Sequence, residues 1–301
     1  MKIEFEDISK FWFSNVLHYH KTKTWVVLFT SMVFVAIYVA ILVYLDQGVF
    51  NLHFKPDPFI FSLLGLVLGL LLVFRTNTAY ERWWEGRKIL GGMVNNLRNL
   101  ALKLNAYLPD NDLESRVFLA NLIGCFPIAM KEHLRQGVKY DELGDLNDKI
   151  INDLRMHRHV PNRIASMVIA KVNSLYIQGI ISREQMIIID IHLQNFADTV
   201  GACERIKNTP IPFSYSIHLK KFIFFYILML PFAIVDNLLY WSVPVMVIVF
   251  YAFTGLEVIG EEIEDPFGTD QNDLPTDSIA QKIRHNVHEI LLSYSNASFS
   301  A

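Results

Sequence analysis

Apolar residues in this chain gather in long blocks. From Trp25 to Leu45 twenty-one residues pass without a charge, enough as helix to cross the roughly 30 Å hydrocarbon layer of a membrane. A second block, Phe59 to Phe74, holds sixteen residues, about 24 Å as helix, which is short for a lipid-exposed span and suits the lining of an interior. The third block, Phe222 to Val235, and the fourth, Asn237 to Leu256, are separated by Asp236 alone and contain Pro231 and Pro244. They predict two Pro-bearing helices joined by a tight external turn, whose freed backbone groups neighbouring helices satisfy. Between the second and third blocks the pattern changes to apolar positions at three- and four-residue spacing, such as Ile89, Met93, Leu97 and Leu100, or Ile164, Val168, Val172 and Leu175. That spacing predicts amphipathic helices, divided by turn signals at Pro109-Asp110-Asn111, near Gly137 and Gly144, at Pro161-Asn162 and at Ser182.

These elements predict an all-α membrane protein with four transmembrane helices that continue into a cytosolic helical bundle. Four spans place both termini on one side. Lys2, Lys10, Lys21 and Lys23 precede the first span, Arg75, Arg82, Arg87 and Lys88 follow the second, and Arg205, Lys207, Lys220 and Lys221 precede the third, whereas the opposite side carries only Lys55. The excess of basic residues marks the cytoplasmic side. The chain then divides into a cytoplasmic segment 1–23, transmembrane helices over 24–74, a cytosolic helical region 75–221, two further spans over 222–256, and a cytosolic acidic loop with a C-terminal helix over 257–301. A cleaved signal peptide is disfavoured, because Glu4, Glu6 and Asp7 precede the first block and no small-residue cleavage site follows Leu45.

Composition agrees with this reading: 52% of residues are apolar, 19% are charged and mean hydropathy is +0.29, which excludes a disordered or fibrous chain. A formal net charge of −3 argues against nucleic-acid binding, since phosphate neutralisation needs a basic excess. Cys125 and Cys203 lie far apart, with no CxxC or zinc spacing, and read as reduced thiols. The His157/His159 and His18/His20 pairs are two residues apart, do not converge on one helix face, and read as solvated. No Walker loop, GxSxG, HExxH or Rossmann fingerprint is present, so no enzyme is expected.

The least ordinary stretch is FRTNTAYERWWEGRK, residues 74–88. Arg75 and Arg82 are seven apart on a continuing helix, and Trp83 and Trp84 are amphipathic rings of the kind that sit at a membrane boundary. They form either an interfacial anchor with a charge network that locks helices or subunits, or a set of charges facing a permeating ion.

Together with GACERIKNTPIPFSY before the third span and EEIEDPFGTDQNDLPTD after the fourth, that stretch resembles the three signature regions of the bestrophin family in its compact bacterial form. The similarity runs from Trp25 to about Asp277, with the motifs in order. The resemblance implies a homopentameric, all-helical, passive ion channel in a cell membrane. It places a narrow apolar pore neck at Leu66, Leu70 and Phe74, where an i, i+4, i+8 series keeps to one face with about 40° of drift per step. Five copies would stack three apolar rings, and Gly65 and Gly69 would allow close helix approach. The resemblance also places a single apolar residue at the cytosolic aperture, here Ile206, with Ala202 as the alternative alignment. Glu204 and Asp198 would add rings of negative charge, unless a salt bridge to Arg205 or Lys207 takes them up. Animal bestrophins hold Ca²⁺ partly on an acidic loop; Asp270 and Asp273 match it, but Gln271 and Asn272 replace two family acids, which implies at most a weak calcium site. The implied ion is chloride or a related anion. A sodium-selective channel of the same fold and a non-conducting membrane scaffold or sensor are the competing functions.

Overall fold

The structure, a computed structural model, describes residues 23–48, 56–144 and 146–292. Lys2, Lys10, Lys21, Lys55 and the His18/His20 pair, on which parts of the sequence reading rest, lie outside the described residues. Among the described residues the secondary structure is helical, with no strand. Those residues form nine α-helices, in order α1 (Lys23–Gly48), α2 (Pro58–Tyr107), α3 (Leu113–Leu134), α4 (Asp148–Arg155), α5 (Val160–Ile177), α6 (Arg183–Asn208), α7 (Phe213–Leu238), α8 (Ser242–Glu264) and α9 (Thr276–Leu292), with 3₁₀ turns at Tyr140–Leu143 and Leu239–Trp241.

The helix starts follow local chemistry. Ser182 caps α6 with a reciprocal capping box to Gln185, and Asn147 and Asp112 accept from the backbone N–H three residues ahead at the starts of α4 and α3, each satisfying an orphan donor of a first turn. Pro244 falls in the first turn of α8, where its missing N–H costs nothing. Pro231 lies inside α7, as the sequence anticipates.

Two compact units share the chain. One gathers the described residues through Glu81 with Ile211–Glu264; the other comprises Arg82–Pro210 and the chain from Asp265 onward. The boundary at Glu81/Arg82 falls within α2, a helix of 50 residues that runs far beyond the apolar block that starts it.

In the first unit α1 packs along α8, and α7 pairs with α8 across the Leu239–Trp241 turn. Its core comprises Val39 and Val43 of α1, Phe61, Leu68 and Leu72 of α2, Leu219, Ile223, Tyr226, Ile227 and Leu230 of α7, and Met246 of α8. Much of its remaining surface is apolar and exposed, including Phe34, Ile37, Phe59, Phe224, Trp241 and Ile248, a distribution suited to a lipid solvent and to protein partners. Helices over Leu28–Gln47, Pro58–Tyr107 and Phe213–Glu264 are long and apolar enough to cross a membrane. The stretch Leu113–Leu134 meets the same criterion of length and composition, but 72% of it is buried inside the protein and it carries buried Arg116, Lys131 and Glu132. It is the core helix of the second unit, flanked by α9, α5 and α6.

Candidate functional site

Leu66, Leu70 and Phe74 project from α2 with 69%, 53% and 56% of their surfaces exposed, whereas Leu68 and Leu72 of the same helix are fully buried. The predicted neck positions therefore form a row pointing away from the protomer's own core. Gly65 lies beside that row: a Cβ there would stand 2.6 Å from the Tyr226 hydroxyl, which donates to Phe61 O at 3.2 Å. Glycine at this position lets Tyr226 seat α2 against α7 and so fixes the rotation of the row. A Cβ on Gly69 would meet nothing within 4 Å, so only Gly65 has a packing role inside the protomer.

One residue after the row, Arg75 is 2% exposed. Its Nη1 donates to Ser216 Oγ at 2.5 Å and its Nη2 to Glu264 Oε2 at 3.4 Å, with Glu257 Oε1 at 3.8 Å. Tyr215 O–H donates to Leu71 O at 3.1 Å, and Glu264 Oε1 accepts from Ile211 N–H at 2.8 Å. Of the two roles open to Arg75 in the sequence, locking helices is the one its burial supports; a side chain this enclosed does not present its charge to an ion.

The rest of the same motif serves the second unit. Arg82 Nη2 donates to Ile206 O at 2.6 Å, and its Nη1 to Thr209 O, so a cation closes the last turn of α6, where orphan carbonyls and the helix dipole favour it. Trp83 Nε1–H donates to Asn272 O at 2.9 Å, while Trp84 is exposed. At Gly86 a Cβ would come within 3.2–3.3 Å of Leu274, Phe267 and Pro266, so glycine there seats the 265–275 loop on α2.

That loop closes on itself. Asp270 N–H donates to Asp273 Oδ2 at 2.6 Å, Asp273 N–H to Asp270 O at 3.1 Å, and Lys207 Nζ to Asp265 Oδ2 at 2.5 Å. Neither Asp270 nor Asp273 enters a cluster of three or more potential ligand side chains among the described residues. The turn thus occupies one oxygen of the Asp273 carboxylate, Oδ2.

The aperture assignment needs correction. Ile206 is 3% exposed and belongs to the core of the second unit, so its side chain faces its own protomer. The reason is visible along α6: Ile189, Leu193, Phe196, Val200, Cys203 and Ile206 are all buried, a 3–4 spacing that makes Ile206 the last member of the packing stripe. The exposed large apolar residues of α6 are Ile187, Ile188 and Ile191. Ala202 is half-buried.

The charged candidates separate. Asp198 is exposed. Glu204 is engaged neither by Arg205, which pairs with Glu85 at 2.6 Å, nor by Lys207, which pairs with Asp265. Its Oε1 lies 2.7 Å from His133 Nε2 and 2.9 Å from His159 Nε2. Partial burial would raise its pKa, but the hydrogen bonds from the two imidazoles win and lower it below the ordinary carboxylate value. His159, read from sequence as solvated, is therefore a partner in this cluster; the signal missed was its pairing with a histidine 26 positions earlier rather than with His157. Next to it, burial pushes the Cys203 thiol up to about 12, and both cysteines are buried and unbridged.

The chain thus carries an exposed apolar row on α2 that alternates with buried Leu68 and Leu72, a buried arginine directly after it, and a self-closed acidic loop after the last apolar helix. A family model described as Bacterial/Fungal Bestrophin protein matches residues 6–289. The chain belongs to the bestrophin family. Among similar bestrophin structures is that of a bacterial bestrophin homolog from Klebsiella pneumoniae, with a TM-score of 0.82 and 27% identity over 87% of this chain and 98% of that one. Related sequences include a protein from Nostoc sp. named voltage-dependent anion channel-forming protein, 40% identical over 230 residues and 75% of each chain. A protein of the same name from Synechocystis sp. is 39% identical over 232 residues, again 75% of each chain.

Proposed function

We propose that five copies of this bestrophin assemble around an axis and pass small anions, chloride foremost, across a cell's inner membrane, with both termini on the cytoplasmic side. The observation that carries this reading is the row Leu66, Leu70 and Phe74, exposed at 69%, 53% and 56% in the protomer. Five such rows facing one another make a narrow apolar neck, which controls ions through the cost of removing their water. The names of the cyanobacterial relatives support anions as the cargo. Uncharged rings suit a passive conduit, and the phenyl edges of Phe74 carry the positive end of the ring quadrupole toward a passing anion. The reading assigns the chain no catalytic chemistry. It leaves the Asp270/Asp273 loop at most a weak calcium site.

A cation-selective pore is favoured by one observation, the exposed carboxylate of Asp198 on α6, which could ring the pathway with negative charge. Reversal potentials of the purified protein in planar bilayers under a salt gradient decide between the two. A shift toward the chloride equilibrium potential supports the proposal, a shift toward the sodium potential supports the second reading, and no current in any salt supports a membrane scaffold. Native mass measurement in mild detergent tests the fivefold assembly, which a monomer or dimer would overturn.

A further inference from the structure

We infer that His133, His159 and Glu204 form a binding site for a divalent first-row transition metal, with Zn²⁺ the best match. The three residues come from separate helices of the second unit: His133 from the last turn of α3, His159 from the N-cap of α5 and Glu204 from α6. One ligand atom of each lies within 4.8 Å of the other two. Both imidazole Nε2 atoms are aimed at the same carboxylate oxygen, at 2.7 and 2.9 Å, and the rings lie 4.4 Å apart, inclined by 38°. A tetrahedral zinc with ligands at about 2.0–2.2 Å holds its donor atoms roughly 3.4 Å from one another, so the triangle needs only small side-chain shifts to accept an ion. Side-chain exposures of 25%, 33% and 32% leave an entry path and room for water as the fourth ligand.

The donor set selects the metal. Two nitrogens and one carboxylate suit zinc and its first-row neighbours, whereas calcium and magnesium take oxygen shells. A second acidic cluster in the same unit shows the contrast. Glu132, Glu142 and Asp277 also converge, but Lys131 Nζ already fills their centre, at 2.9, 2.6 and 2.6 Å, and that cluster is a finished ion pair.

Coordination through Nε2 requires each imidazole to carry its proton on Nδ1. For His159 this replaces the present arrangement, in which Asn162 N–H donates to Nδ1 at 3.3 Å. The exposed Asn162 then turns its N–H to water. Bound metal would tie the ends of α3 and α5 to α6 and so stabilise the second unit, because it binds the folded arrangement alone.

The test uses the full-length assembled protein in detergent with any histidine tag removed, and ZnCl₂ as the probe. Calorimetry should give one zinc per protomer. His133→Ala should weaken binding by at least about tenfold. His159→Asn, which keeps an N-cap acceptor, should do the same, and the double variant should lose the site. Thermal unfolding should shift upward with zinc in the parent and not in the double variant. Diffraction at the zinc edge, which needs no variant to fold, should place an anomalous peak between the three side chains. A peak elsewhere alone, binding unchanged in the double variant, or no zinc bound by the parent would each overturn the proposal.

Discussion

Arg75 Nη2 lies 3.4 Å from Glu264 Oε2, joining the residue that follows the exposed row of α2 to the last residue of α8, 189 positions away. The arginine also reaches Ser216 on α7, so one planar guanidinium holds three helices of the first unit at the point where the row ends. Removing it takes the guanidinium away from Glu264 and Glu257, largely buried at 14% and 7% side-chain exposure, and leaves Glu257 to Lys220 at 3.6 Å. Arg75→Leu should therefore cost roughly 3–5 kcal/mol of stability, read as a lower unfolding temperature in detergent. Arg75→Lys should recover only part of this, because an ammonium cannot reproduce the fork that serves Ser216 and Glu264 together. Wild-type stability in both variants would show that the contact is not maintained.

Ile206 makes the opposite case to an exposed position. Its side chain completes the buried stripe of α6, so Ile206→Ala should destabilise the second unit by about 2–4 kcal/mol while leaving the permeability ratio of whatever pentamer survives unchanged. If bilayer recordings show altered selectivity with no loss of thermal stability, the side chain faces the pathway after all.

What the sequence could and could not disclose follows from this stripe. The helices of the first unit are legible because their apolar blocks are long and few alternatives exist for such blocks. The continuation of α2 past Phe74 is legible in the lack of any proline or glycine up to Gly86. The packing face of α6 was also present in the spacing of Ile189, Leu193, Phe196, Val200, Cys203 and Ile206, and it outweighs motif position as a guide to where Ile206 points. The partners of Glu204 were not legible: His133 and His159 stand 71 and 45 positions before it, and only the folding of α3 and α5 against α6 brings them together. Arg82 is similar, since its role as a cap depends on where the last turn of α6 ends in space.

Acid stability offers a test of the second unit's ion cluster. Hydrogen bonds from Arg135, then Lys131, hold the Asp277 carboxyl well below its ordinary value of 3.8, against partial burial that acts the other way. A depressed carboxylate stabilises the fold fully above its unfolded pKa and loses that contribution as pH falls through the folded one. Asp277→Asn should therefore lower stability at neutral pH and flatten the decline below about pH 4. Unfolding temperatures measured across that range should converge for parent and variant at the acid end; curves that stay parallel would show that Asp277 is not the titrating group.

Calcium should bind weakly at the 265–275 loop, because Asp273 Oδ2 is already engaged by Asp270 N–H and the intervening positions are Gln271 and Asn272. Titration calorimetry should show no submicromolar calcium site. A tight site abolished by Asp270→Ala would mean that the loop reopens around the ion.

The neck carries the remaining prediction. An ion entering a ring of leucine or phenylalanine side chains gives up hydration that the wall cannot replace, and this cost falls as the wall becomes smaller and admits water. Leu66, Leu70 and Phe74 are more than half exposed in the protomer, so truncating them creates no cavity in its core of the kind that makes buried truncations costly. Replacing all three by Ala should accordingly raise single-channel conductance and open probability while changing the unfolding temperature of the protomer little. Leu68→Ala and Leu72→Ala, on the buried face of the same helix, should do the reverse, lowering stability by about 3–5 kcal/mol each without widening the passage. A triple variant that remains an intact assembly and conducts no better than the parent would show that another helix lines the pore.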